Sequence, residues 1–178
     1  MSETVATFNL ILGTGGIVML FGSAFLLFDI IFQKRSLLSH IEKFGLQILA
    51  VMFFGAMVMA FIYSEVFGFI PCGLCWLMRI TVFSQAVLLP FAVWKKDFGF
   101  ALYGMVLSVI GTILGFYQHY LQMGGGELLP CPASGGDCAK RILFEYGFMT
   151  FPLMGAAMLL FAALVYSYLL NKGKSQTA

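Results

Sequence analysis

Long apolar runs separated by short polar breaks organise this chain. The first extends from Phe8 to Phe32, interrupted only by small or polar residues and by Asp29 near its end. Others run from about Gly45 to Phe67, Leu74 to Trp94, Phe98 to Leu121 and Phe151 to Leu170. A helix needs about 20 apolar residues to cross the hydrocarbon of a bilayer. The pattern therefore predicts five spanning helices.

The polar breaks are distinct from one another. Gln33 to Phe44 carries Lys34, Arg35, His40, Glu42 and Lys43 and reads as a solvated loop or short surface helix. Gly68-Phe69-Ile70-Pro71 is a short connection, and Lys95-Lys96-Asp97 closes the third run. Gln122 to about Arg141 holds Gly124-Gly125-Gly126, two prolines and two cysteines, the signature of an exposed loop. The opening Met1-Ser2-Glu3-Thr4 has no Lys or Arg, whereas a signal peptide begins with positive charge, so the first run reads as a retained helix.

Composition agrees. The 178 residues are 61% hydrophobic and only 10% charged. A soluble domain carries about a quarter charged residues, so this is an integral membrane protein of one-domain length. A net charge of +2, scattered along the chain, does not suggest nucleic acid as a partner. Under a five-helix count, Lys34, Arg35, Lys43, Lys95, Lys96, Lys172 and Lys174 share one side, and Lys140 and Arg141 the other. The basic excess marks the cytoplasmic side. The expectation is an extracytoplasmic N-terminus, both cysteine pairs outside, and a cytoplasmic C-terminus.

All four cysteines lie near segment boundaries on the side where disulfides persist. Cys72 and Cys75 form a Cys-x-x-Cys at the start of the third run, with Arg79 four residues beyond the second sulfur. On a helix all three share a face, and a helix start favours a thiolate. A bridge across so few residues constrains little chain, which argues against a merely structural disulfide. Zinc requires two suitably placed pairs, and Cys-x2-Cys followed by a distant Cys-x6-Cys is irregular. Cys131 and Cys138 frame a Gly-containing loop. Bridged and exposed, such a pair is the labile kind that exchanges with an attacking thiol; the alternative is a bridge that only tidies the loop. A cation placed like Arg79 costs roughly 2.5–3.5 kcal/mol on insertion scales. It either snorkels to the interface or holds a polar ligand head. His119, at the end of the fourth run, is an interfacial residue or a ligand contact, and Glu65 either pairs with Arg79 or meets water.

These residues together resemble the DsbB family of membrane thiol:quinone oxidoreductases, and more closely its shorter BdbC-type members. The likeness rests on Ser64-Glu65, Pro71-Cys72-Gly73-Leu74-Cys75-Trp76 with Arg79-Ile80, Tyr117-Gln118-His119, Cys131-Pro132, Cys138 and Gly147-Phe148-Met149-Thr150-Phe151-Pro152. It covers about residues 45 to 170. The resemblance implies an all-α membrane protein: a four-helix transmembrane bundle over 45–171, one additional N-terminal transmembrane helix with its basic loop over 1–44, and a cytoplasmic tail over 172–178. It further implies Cys72 and Cys75 as the inner redox pair. Arg79 and His119 would lie beside a quinone (ubiquinone or menaquinone), and Cys131 and Cys138 would form the outer pair. The implied partner is a DsbA-like soluble thioredoxin-fold oxidase at a bacterial inner membrane. Two departures stand out: the first helix has no counterpart in that family, and the outer cysteines are only seven positions apart. The alternatives are a vitamin-K-epoxide-reductase-like oxidoreductase, in which the helix-borne Cys-x-x-Cys follows the loop pair, and a non-enzymatic protein with structural or metal-binding cysteines.

Overall fold

A computed structural model describes the backbone of residues 3–32, 38–126 and 137–176, and the side chains of 3–32, 41, 43–126 and 137–170. Cys131, Lys34 and Arg35, and the side chains of Lys172 and Lys174, lie outside that description. The elements are α1 (Glu3–Ile31), α2 (Leu38–Phe61) continued by a π-helical turn (Ile62–Val66), α3 (Gly73–Lys95), α4 (Phe100–Gln122), β1 (Phe144–Glu145), β2 (Met149–Thr150) and α5 (Phe151–Gln176). The described residues hold five helices long and apolar enough to cross a membrane, as the hydropathy pattern requires.

Two boundaries differ from expectation: α5 runs on to Gln176, beyond Leu170, and α2 begins early. The stretch from Leu38 to Phe44 is not a separate loop or surface helix but the first turns of α2. Ile41, Leu46, Leu49 and Phe53 recur at helical spacing and face the core, so the apolar stripe continues through the charged residues. At Gly45 a Cβ would come within 3.3 Å of both Ile41 and Val165, so this turn lies close against α5.

Helix α5 is the centre of the assembly. It packs on α4, α1 and α2, while α2 packs on α3 and α3 on α4. Helices α2 to α5 thus close into a bundle, and α1 lies along α5. Without a hydrophobic drive between helices in lipid, close approach depends on small residues. On α4 they recur as Gly104, Ser108, Gly111 and Gly115, all buried. A Cβ at Gly104 would sit 2.5 Å from the Tyr166 ring, and one at Gly111 2.5 Å from the Thr81 hydroxyl. The same stripe continues to Gln118 and Gln122, which are therefore also turned inward.

Polar pins hold this packing in register. Gln85 Oε1 accepts from the Tyr166 hydroxyl at 2.8 Å and the Ser108 hydroxyl at 3.2 Å, tying α3, α4 and α5. Its amide nitrogen donates to Thr81 O at 3.0 Å. Helix α1 is fastened at both ends. Tyr168 donates to the buried Asp29 carboxylate at 2.6 Å, and at the other end Tyr63 donates to Asn9 Oδ1. The β1–β2 hairpin adds a third pin, Thr14 Oγ1 to Tyr146 OH at 2.7 Å. Its turn places Tyr146 at φ 57° and Gly147 at φ 76°. Positive φ at both central residues is the hairpin geometry for which glycine is suited.

Candidate active site

Cys72 is the N-cap of α3. Its backbone is extended (φ −78°, ψ 172°), and its Sγ accepts the Cys75 N–H at 3.3 Å. Cap-to-N3 is the spacing at which an N-cap side chain reaches the first free N–H groups. Cys-x-x-Cys therefore brings the two sulfurs together by the same geometry that starts the helix. They lie 2.8 Å apart. The Cys72 thiol is pushed well above the ordinary cysteine range, first because it shares its proton with Cys75 and then because it is buried.

A third side chain meets both sulfurs. The Gln118 amide nitrogen lies 3.1 Å from Cys72 Sγ and 3.0 Å from Cys75 Sγ, donating to both. Gln118 is 2% exposed, yet its Oε1 has no hydrogen-bond partner among the described residues. Gln122, one turn further along α4, likewise has an unpartnered buried Oε1. Its nitrogen donates to Lys140 O at 2.9 Å, and Arg141 Nε donates to Gln122 O at 2.7 Å. These two bonds latch the segment carrying Cys138 onto the end of α4.

Cys138 does not occupy the exposed loop that its glycine-rich neighbourhood suggests. It is 2% exposed, disulfide-bonded, and shares one buried cluster with Cys72, Leu74 and Leu121, with Cys75 and Tyr117 packed beside them. The latch at Gln122 explains the burial: it pulls residues 137–141 down over the start of α3.

Arg79 lies one helical turn beyond Cys75. One guanidinium nitrogen donates to Ala60 O of α2 at 2.9 Å, and the group stands 5.1 Å from the Trp76 ring centroid. Glu65 and Cys75 are within electrostatic reach of it. Cys72, Cys75, Arg79, Gln118 and Gln122 all line one cavity of about 720 Å³. The remaining wall is mainly apolar and rich in methionine, including Met52 and Met59 of α2, Met78 of α3, and Met154 and Met158 of α5. Residues of α1 also contribute. Thioether side chains adapt to irregular ligand shapes, and the volume suits a cofactor-sized molecule.

His119 faces elsewhere. Its Nδ1 is 2.8 Å from Thr150 Oγ1 in β2, and His119 is not among the cavity's lining residues. The structure thus gathers Cys72, Cys75, Arg79 and Cys138 into one region and places His119 behind it. Gln118 is the functional candidate that reading for chemistry passes over, because His119 beside it is the more reactive type. The seven-residue repeat of small residues on α4 is the signal that identifies it.

Residues 42–170 match the family described as disulfide bond formation protein DsbB. The chain is 35% identical over 117 residues to the SPbeta prophage-derived disulfide bond formation protein B of Bacillus subtilis (strain 168), covering 66% of this chain and 78% of that protein. It is 30% identical over 122 residues to disulfide bond formation protein C of the same organism, covering 67% and 86%. A probable disulfide formation protein of Metapseudomonas resinovorans is 34% identical over 113 residues, covering 62% and 76%. No solved structure matches. Helix α1 lies ahead of the matched residues.

Proposed function

Because the chain belongs to the DsbB family of disulfide bond formation proteins and is a multi-pass membrane oxidoreductase, we propose that it is a thiol:quinone oxidoreductase. It would reoxidise an extracytoplasmic thioredoxin-fold dithiol protein, DsbA-like in kind, through two cysteine pairs. The observation that carries the reading is the shared burial of Cys138 against Cys72, with Cys75 on the wall of a cavity that also holds Arg79 and Gln118. The excess of basic residues at the end away from the cysteines supports an extracytoplasmic position for both pairs.

The relay proceeds by thiol exchange. A thiolate of the reduced partner attacks the disulfide holding Cys138, pairing in this reading with Cys131. One sulfur leaves as a thiolate, and the partner's second thiol resolves the mixed disulfide, so the partner is oxidised and the loop pair reduced. A loop thiolate then attacks the Cys72–Cys75 disulfide, and its fellow closes the loop bridge again. The two electrons now rest on Cys72 and Cys75. Cys72 holds the proton it shares with its neighbour, while Gln118 donates to whichever sulfur carries charge.

The cavity fits a quinone. Its wall is apolar enough for a lipid-soluble molecule, Arg79 offers N–H donors for a carbonyl oxygen, and Gln118 and Gln122 present unpartnered acceptors for an O–H group. When bound, a quinone supplies a two-electron sink, and the cofactor's chemistry needs from the protein only position and field. Arg79 provides fixed positive charge in a water-poor site, where preorganised donors count most.

Purified protein in liposomes should consume quinone when given a reduced thioredoxin-fold dithiol protein. Cys72→Ser and Cys75→Ser should each stop turnover. Cys131→Ser and Cys138→Ser should stop the protein-driven reaction but leave quinone reduction by dithiothreitol, which can reach Cys72–Cys75 directly. A wild-type protein that transfers no electrons to any quinone would refute the proposal.

A further inference from the structure

Helix α1 forms a wall of the cavity. Ile11, Leu12, Gly15, Gly16 and Met19 line it from one side, and Met52, Gly55, Ala56 and Met59 of α2 line it from the other. The two helices close on each other at the cysteine end, where Tyr63 donates to Asn9 and the Phe8 and Phe67 rings meet edge to face at 5.8 Å. Gly15 lies six residues beyond Asn9 and Gly55 eight before Tyr63. At 1.5 Å per residue these are about 9 and 12 Å deeper along their helices, at nearly the same level.

The paired glycines of α1 have divided roles. At Gly16 a Cβ would lie 3.1 Å from both Met149 and Met154, so this glycine lets α1 seat against β2 and α5. At Gly15 a Cβ would meet nothing within 4 Å, and the same holds at Gly55 across the cavity. Both open glycines line the cavity and are themselves solvent-accessible. A position that is both lining and exposed lies at an opening. Deep within, the unpartnered Oε1 atoms of Gln118 and Gln122 mark the polar end of the chamber.

From this arrangement we infer that Gly15 and Gly55 frame a lateral mouth through which the apolar tail of the quinone passes into lipid, and that α1 thereby sets which tails the chamber takes. The inference rests on the functional reading above. That reading concerns the ring end, beside the sulfurs; the mouth concerns the tail, at a helix outside the family match. The occupant is specified by the walls: an apolar chain at the α1–α2 opening, attached to a ring whose reduced form offers O–H donors to the α4 glutamines. Closing the gap between the two glycines should therefore penalise the tail and spare the ring.

Gly15→Trp and Gly55→Trp test this directly, because a Cβ at either position meets nothing within 4 Å among the described residues. Each should raise KM about tenfold or more for a quinone with a long isoprenoid tail, equivalent to losing under two methylenes of burial. For the same ring without a tail the rise in KM should be several-fold smaller. A second readout needs no turnover: a quinone analogue with a diazirine on its tail should label α1 between Ile11 and Met19 and α2 between Met52 and Met59. The label should fall in both variants. Equal KM changes for the two quinones, no change for either, or labelling confined to α3 and α4 would overturn the mouth while leaving the relay standing. Wild-type protein that reduces neither quinone and takes no label would overturn the relay and the mouth together.

Discussion

From the middle of the bundle to the end away from the cysteines, Gln85 receives two hydroxyl donors and gives its own N–H to Thr81, Tyr168 donates to Asp29, and glycines on α4 admit Tyr166 and Thr81 at close range. At the cysteine end, Asn9, Gln118 and Gln122 each keep one buried polar atom without a partner, and the walls are methionine around open volume. An unsatisfied buried polar group costs about 1–3 kcal/mol. A chain that pairs such atoms in one half and leaves three in the other, among the described residues, is using the first half for stability and the second for something that binds. Violations of local rules concentrate where function lies.

The comparison predicts that substitutions should be punished by fold in one half and by chemistry in the other. Gly104→Leu should have the largest effect, because its Cβ would fall within 2.5 Å of Tyr166 and overpacking there costs about 3 kcal/mol. Thermal unfolding would show it as a lowered Tm, whereas Gly55→Leu, with open space around it, should leave Tm in place. If both glycines proved equally tolerant, the contrast between halves would fail.

Gln118→Leu should do the reverse. Loss of an amide that donates to both sulfurs removes about 2–3 kcal/mol of stabilisation from charged sulfur, or about 30- to 150-fold in turnover. Tm should hold or rise, since an unpartnered carbonyl oxygen disappears with it. A parallel fall in Tm would make Gln118 a packing residue instead.

Cys75→Ala tests the shared proton. The Cys72 thiol is held above the usual range chiefly by Cys75, so in the reduced wild type it stays protonated through neutral pH and alkylates only as pH climbs past that range. Removing Cys75 removes the largest cause, and the midpoint of the iodoacetamide rate profile for Cys72 should move to lower pH. An unmoved midpoint would assign the effect to burial alone.

His119→Ala should have the smallest effect: about 1 kcal/mol of stability from its bond to Thr150, read as a modest drop in Tm, with KM for quinone unchanged. A marked rise in KM would mean that the imidazole leaves Thr150 to reach the acceptor.

Much of this could be read from residues alone. Five apolar runs of spanning length predicted the helices, and Cys-x-x-Cys before an apolar run located the start of α3 because cap and N3 are three apart. What escaped depends on contacts distant in sequence. Nothing near Cys138 shows that Gln122 and Arg141 will draw its segment under cover, and its glycines point the other way. The extension of α2 to Leu38 was hidden by the charged residues clustered before Phe44 in the sequence, which read as a polar break. Gln118 was hidden by a preference for reactive side chains, although the small residues at 104, 108, 111 and 115 already aimed that face inward.

Helix α1 lies outside the family match, yet the bundle has been tailored to receive it. Tyr63 and Tyr168, rooted in α2 and α5 near opposite ends, both send their hydroxyls to α1, and Gly16 is shaped to the methionines it meets. Stripped of that helix, both phenols would lose the acceptors they have in the described structure, and one flank of the chamber would stand open to acyl chains. The extra segment is thus no passive appendage: a shortened form lacking it would leave those two hydroxyls to be satisfied some other way.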